Sequence, residues 1–117
     1  MGTYVITGGA SGIGAAIREQ LADRGDSGVV VDIKDADITA DLATGEGRGS
    51  AIAAIREATA GGISGLVTCG GVGSHLPDRA LITQVIYFGT VALLEGLRDH
   101  LAEHTASALM ISSNSAP

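Results

Sequence analysis

Thr3-Tyr4-Val5-Ile6-Thr7-Gly8-Gly9-Ala10-Ser11-Gly12-Ile13-Gly14 is the stretch that decides the fold of this 117-residue chain. Its first residues are β-branched and aromatic, as a short strand requires. Beyond the glycines, Ile13, Ala16, Ile17 and Leu21 recur at helical spacing, Arg18, Glu19 and Asp23 fall mostly off that stripe, and Gly25 supplies a helix stop. The parse is strand, glycine turn, helix. Gly8, Gly12 and Gly14 remove side chains where a backbone must approach something closely, and the N–H groups they leave, with the positive end of the helix dipole, suit a pyrophosphate. A Walker loop is excluded, because the sequence has no Gly-Lys pair.

Working outward, Gly28-Val29-Val30-Val31-Asp32-Ile33 is apolar enough for a strand buried on both faces, as parallel strands are. It carries Asp32 at its end, 18 positions beyond Gly14, near the ~20 at which an acid binds an adenosine ribose. The alternative is a plain βαβ unit with a fortuitous acid. A short edge strand is expected near Ile38 to Ala40. Too few residues separate it from Ile33 for the usual crossover helix, which must be missing or reduced. A helix over roughly 47–59 carries Ile52 and Ile55 inward and stops at Gly61-Gly62. A core strand at Gly65 to Cys69 follows, then a loop through His75 and Pro77, a long helix from about Leu81 to Glu103, and a last strand at Ala108 to Ser112. This alternation implies an α/β, Rossmann-type doubly wound parallel sheet ending after its fifth strand, with residues 1–117 as one domain.

Composition narrows the function classes. Seven Lys+Arg against thirteen Asp+Glu give a net charge of −6, and the basic residues form no stripe that could neutralise a phosphate backbone. Nucleic acid is not an expected partner. The single cysteine, Cys69, fits a reducing compartment, and a cytoplasmic location is expected. Met1 is followed at once by strand-like residues, without a basic leader or a segment of the ~20 apolar residues that span a bilayer. Hydrophobic residues make up 45% and charged residues only 17%, an apolar excess that favours a chain with a partner.

Thr7-Gly8-Gly9-Ala10-Ser11-Gly12-Ile13-Gly14 resembles the TGxxxGIG cofactor motif of the short-chain dehydrogenase/reductase family. The similarity runs through all 117 residues and corresponds to the first half of a family member. It implies that Asp41-Leu42 contacts the adenine ring, that Cys69-Gly70-Gly71 stands where the family has Asn-Ala-Gly, and that Ile111-Ser112-Ser113 is the strand bearing the catalytic serine, here Ser113, with Ser112 and Ser115 as the alternatives beside it. Among subgroups, Asp32 to Ala36 with Ala40-Asp41-Leu42, and Tyr87-Phe88-Gly89-Thr90, look most like bacterial 3α-hydroxysteroid dehydrogenase/carbonyl reductases. The implied cofactor-binding set is Gly8, Gly9, Ala10, Ser11, Gly12, Ile13, Gly14, Asp32, Asp41, Leu42, Gly70 and Gly71. Asp32 would accept the ribose hydroxyls and repel the extra phosphate of NADP, so the expected cofactor is NAD.

The family's chemistry also needs a tyrosine as general acid/base and a lysine four residues later. Tyr4 and Tyr87 are followed at that spacing by Gly8 and Val91, and the sole lysine is Lys34. These 117 residues therefore lack the pair, and the chain is expected to be a truncated form, inactive alone. Where the family has a helix-kinking, water-holding asparagine, this chain has Ile86. Two readings stand: the cofactor half of an NAD-dependent oxidoreductase of secondary alcohols and ketones, hydroxysteroids among them, or a non-catalytic nucleotide-binding or assembly module. An exposed last strand and the helix over 81–101 are expected to build a homo-oligomer. His100 and His104, four apart, are read as favouring the helix dipole rather than holding a metal, and Cys69 as structural.

Overall fold

A computed structural model of the chain describes residues 2–8, 12–33, 35–42, 44–69 and 89–110. Strands β1 (Thr3–Thr7), β2 (Ser27–Asp32), β3 (Ile38–Thr39), β4 (Gly65–Thr68) and β5 (Ser107–Met110) alternate with helices α1 (Gly12–Asp23), α2 (Gly45–Ala58) and α3 (Gly89–Glu103). The sheet runs β3-β2-β1-β4-β5, every pair parallel. This is the doubly wound architecture expected from the alternation. The expected helix start at 81 and the end of the last strand at Ile111-Ser112 lie outside the described residues.

The period-two alternation of a strand puts neighbouring residues on opposite faces. Val5, Val31 and Leu66 face one way, into a core closed by Ala51 and Ile55 of α2 and Leu93, Leu97 and Leu101 of α3. Ile6 and Val67 face the other way, against Leu21 of α1. α2 and α3 approach closely at Gly96, where a Cβ would run into Ile52. Of the two isoleucines expected to point inward, Ile55 is buried in the core, whereas Ile52 is half-buried at that helix crossing.

Local chemistry sets the ends of the elements. α2 starts at Gly45, two residues before the expected position, because the Thr44 hydroxyl caps it by accepting the Gly47 N–H at 2.9 Å. α1 and α3 both close with paired backbone bonds of the Schellman type. In α1, Asp26 N–H donates to Leu21 O and Gly25 N–H to Ala22 O; in α3, Ala106 N–H donates to Leu101 O and Thr105 N–H to Ala102 O. The left-handed residue is Gly25 (φ 86°) in the first and Thr105 (φ 52°) in the second.

β2 and β3 are joined without a crossover helix. β3 pairs only with the last two residues of β2, Val31 with Ile38 and Asp32 with Thr39, so the chain need not travel back along the strand. The Asp37 carboxylate substitutes for further ladder by accepting the Val30 N–H at 2.8 Å.

Candidate nucleotide-binding site

The C-terminal ends of β1, β2 and β3 bring the proposed site residues to one edge of the sheet. Thr7 pairs with Val31, and Gly8 N–H continues the ladder to Val31 O at 2.7 Å. Asp32 therefore stands beside the start of the glycine turn, one strand spacing of ~4.8 Å away. On the other flank of β1, Cys69 N–H donates to Thr7 O at 2.9 Å. β1 is thus held on both sides up to the residue at which it turns. This is the position, between strands leading in opposite directions across the sheet, where open α/β folds bind ligands.

The turn itself demands glycine. Gly8 has φ 75° and Gly12 φ 62°, a region that L side chains enter at a cost of about 1–2 kcal/mol. A Cβ on Gly12 would meet nothing within 4 Å, so packing does not require the missing side chain; the backbone conformation does. α1 begins at Gly12, and its first-turn N–H groups have no intrahelical acceptor. Donors of that kind, at the positive end of a helix dipole, fit a diphosphate. Gly14 is buried. The Ile13 side chain and all of Gly9, Ala10 and Ser11 lie outside the described residues.

Asp32 is half-buried, and its Oδ1 accepts the Ile33 N–H at 2.7 Å. That bond orients the carboxylate at the strand end. Next to it Ile33 is 61% exposed, an apolar surface at the mouth of the site that the sequence reading missed. The signal was present in the β2 pattern: an isoleucine just past the last paired residue no longer has a sheet face to enter. Just past β3, Ala40 N–H donates to Asp32 O at 3.0 Å and leads the chain to Asp41. Asp41 is exposed, and its carbonyl accepts the Thr44 hydroxyl at 3.2 Å, so the cap of α2 fixes its place. Leu42 is 9% exposed and belongs to the core, while its carbonyl accepts from Arg48 Nη1 at 3.1 Å. Three neighbouring strand ends therefore converge Gly8, Gly12, Asp32 and Asp41 on one edge. Gly70, Gly71 and Ser113, with Ile86, His75 and Lys34, lie outside the described residues.

Two other residue types behave differently. Burial pushes the Cys69 thiol up from its ordinary value, which disfavours the reactive thiolate and fits a packing role against Ile6, Leu21 and Val67. His100, expected to favour the dipole at the end of α3, also has a specific partner. It is 7% exposed, and its Nε2 lies 2.8 Å from the Thr59 hydroxyl of the α2 terminus. Cys69 thus flanks the glycine edge through its backbone N–H, whereas His100 stands on the last turn of α3.

No family model matches the chain. It is 40% identical over 114 residues to the 3-alpha-hydroxysteroid dehydrogenase/carbonyl reductase of Comamonas testosteroni, an alignment that takes in 97% of this chain and 44% of that protein. The chain therefore spans less than half the length of this curated relative. The 3-alpha-hydroxysteroid dehydrogenase of Pseudomonas sp. B-0831, solved in complex with NADH, superposes with a TM-score of 0.91 at 42% identity, over 96% of this chain and 44% of that one. A short-chain dehydrogenase/reductase of Brucella ovis superposes with a TM-score of 0.79 at 25% identity, over 92% and 59% of the two chains. In sequence and in fold, the chain is homologous to the N-terminal part of the short-chain dehydrogenases/reductases.

Proposed function

We propose that residues 1–117 form the NAD-binding part of an oxidoreductase that interconverts secondary alcohols and ketones, hydroxysteroids among them. The observation that carries this reading is the pairing of a left-handed glycine turn, Gly8 and Gly12, with Asp32 on the adjacent strand end. A relative 42% identical to this chain holds NADH, which supports the same cofactor here. The α1 amides and dipole bind the diphosphate. Asp32 accepts the ribose hydroxyls, Ile33 offers the adenine an apolar surface, and Asp41 with Leu42 closes that side. When bound, NAD supplies the hydride acceptor. Gly70 and Gly71 complete the cofactor set, and Ser113 orients the substrate oxygen. The 117 residues contain no Tyr-x-x-x-Lys, so proton transfer has no acid/base here and no turnover is expected from these residues alone.

The cofactor assignment is tested by calorimetric titration with NAD and NADP. NAD binds more tightly, and Asp32→Ala weakens NAD about tenfold, the worth of a hydrogen bond to a charged group, while narrowing the gap to NADP. Equal affinity of the unmodified chain for both cofactors overturns the assignment. A second reading, a non-catalytic nucleotide-binding or assembly module, is favoured by Ile86 in place of the family's asparagine. Hydride transfer to a ketone by the Ile86→Asn variant alone would exclude it.

The same reading includes a homo-oligomer built on the helix over 81–101 and the β5 edge. Leu109 is 56% and Val91 36% exposed there, which supports association. Light scattering that returned a monodisperse monomer would remove this element. Among the described residues no helix is long and apolar enough to cross a membrane. A reducing, cytoplasmic setting is proposed from the lone cysteine.

A further inference from the structure

We propose that His100, Glu103 and His104 form a binding site for a divalent transition-metal ion, zinc by its donor set, at the C-terminal end of α3. The site is independent of the nucleotide reading. It lies at the opposite end of the sheet, beside a cleft of about 300 Å³ lined by Gly2, Thr3, Gly62, Ser64 and His104. One donor atom from each of the three side chains lies within 4.8 Å of the other two. Tetrahedral zinc, with bonds of ~2.0–2.2 Å, sets its donors roughly 3.3 Å apart. Glu103 is exposed and His104 half-buried, so the two outer ligands need to close by at most about 1.5 Å. The two imidazole rings are already placed for it. Their centroids are 5.0 Å apart with planes at 81°, and two imidazoles on one tetrahedral zinc have centroids roughly 5 Å apart.

The tautomer of His100 is set by its neighbours. The Thr59 hydroxyl lies 2.7 Å from Ile55 O, and a carbonyl can only accept, so the hydroxyl hydrogen is committed there. Thr59 Oγ1 must then accept from His100, whose Nε2 carries the proton. In the neutral ring Nδ1 holds the lone pair. This is the arrangement of a metal-ligating histidine, with the far nitrogen donating to an outer partner that fixes tautomer and ring orientation. The site also sits on the last turn of α3, where the carbonyl end of the dipole favours a cation. The Schellman closure through Ala106 and Thr105 holds the backbone of His104 in register with His100. The cleft leaves room for a water as fourth ligand. Such an ion would clamp the end of α3 to the turn after α2.

The test is zinc titration of the tag-free protein in competition with a chromogenic chelator, with Co²⁺ as a spectroscopic probe. The expected result is one equivalent of zinc and a visible cobalt band of four- or five-coordinate intensity. His104→Ala lowers zinc affinity by at least about tenfold, and Thr59→Val, which keeps all three ligands but removes the outer acceptor, by about tenfold. NAD affinity is unchanged in His104→Ala, which separates this site from the nucleotide one. Absence of stoichiometric zinc uptake by the folded protein overturns the proposal, as does uptake equally strong in His104→Ala and Glu103→Gln.

Discussion

The strands of this sheet begin in a laced edge and finish in an open one. At their start, Gly2 N–H donates to the Asp26 carboxylate at 2.7 Å, Ser27 N–H to Gly2 O at 2.8 Å, Ser64 N–H to Thr3 O at 2.7 Å and Ser107 N–H to Ser64 O at 3.1 Å. At their finish, β1 leaves the ladder through Gly8 and Gly12 in left-handed backbone, and Asp32 and Ile33 are carried outward. Both edges are made of the same parallel strands, so the difference lies in the residues flanking each strand. Backbone bonds, joined by the Asp26 carboxylate and the Ser64 hydroxyl, stitch one edge; glycine and an acid open the other. A backbone that must present its own amides to a ligand can be held in a strained turn only if the strands behind it are fixed. The laced edge supplies that fixity.

Three substitutions separate the two edges. Gly12→Val attacks the open one. A β-branched residue at φ 62° costs about 2 kcal/mol or rearranges the turn, so NAD affinity falls about thirtyfold by calorimetry, while the sheet persists by far-ultraviolet circular dichroism. Unaltered affinity would mean that the turn does not hold the diphosphate. Asp26→Ala attacks the laced edge. It removes the acceptor of the Gly2 N–H and the ion pair with Arg24 at 3.2 Å, and urea unfolding is expected to show a loss of about 1–2 kcal/mol. NAD affinity should stay the same once the protein is folded; a parallel loss of binding would show the edges to be coupled. Thr105→Gly has the smallest effect and the opposite sign. Relief of a left-handed threonine, less the added unfolded-state entropy of glycine, stabilises by about 0.5–1 kcal/mol, read as a rise in the urea midpoint.

The open edge was largely legible in the sequence, and the laced edge was not. Gly8, Gly12, Asp32 and the short reach to Ile38 are local in the chain, and their meaning comes from backbone conformation and spacing. The missing crossover helix could be read from the count of residues after Ile33. The start of α2 was misplaced by two residues because the signal was a single capping threonine, Thr44, without the acidic partner of a capping box. The partner of His100 was out of reach for a different reason. The environment of this histidine is set by Thr59, 41 positions away on another helix, and nothing in the local pattern of α3 announces that contact. Thr105 in a glycine conformation is equally silent, since helix closure there is dictated by the backbone path into β5. Ile33 stands between these cases: its exposure was implied by the end of β2.

The central place of β1 has a consequence for synthesis. Its partners are β2, close behind it in the chain, and β4, with Thr3 and Ser64 of the laced edge 61 positions apart. β4 is complete 36 positions after β2, from Asp32 to Thr68, so at translation rates of ~5–20 residues per second one flank of β1 waits roughly 2–7 s after the other could have paired. During that interval the nascent chain carries an apolar strand, with Val5 and Ile6 not yet covered on both sides, beside a ribosome making more of the same. A chaperone that binds extended apolar segments would find its earliest client here, and a pause in translation between α2 and β4 would prolong the exposure.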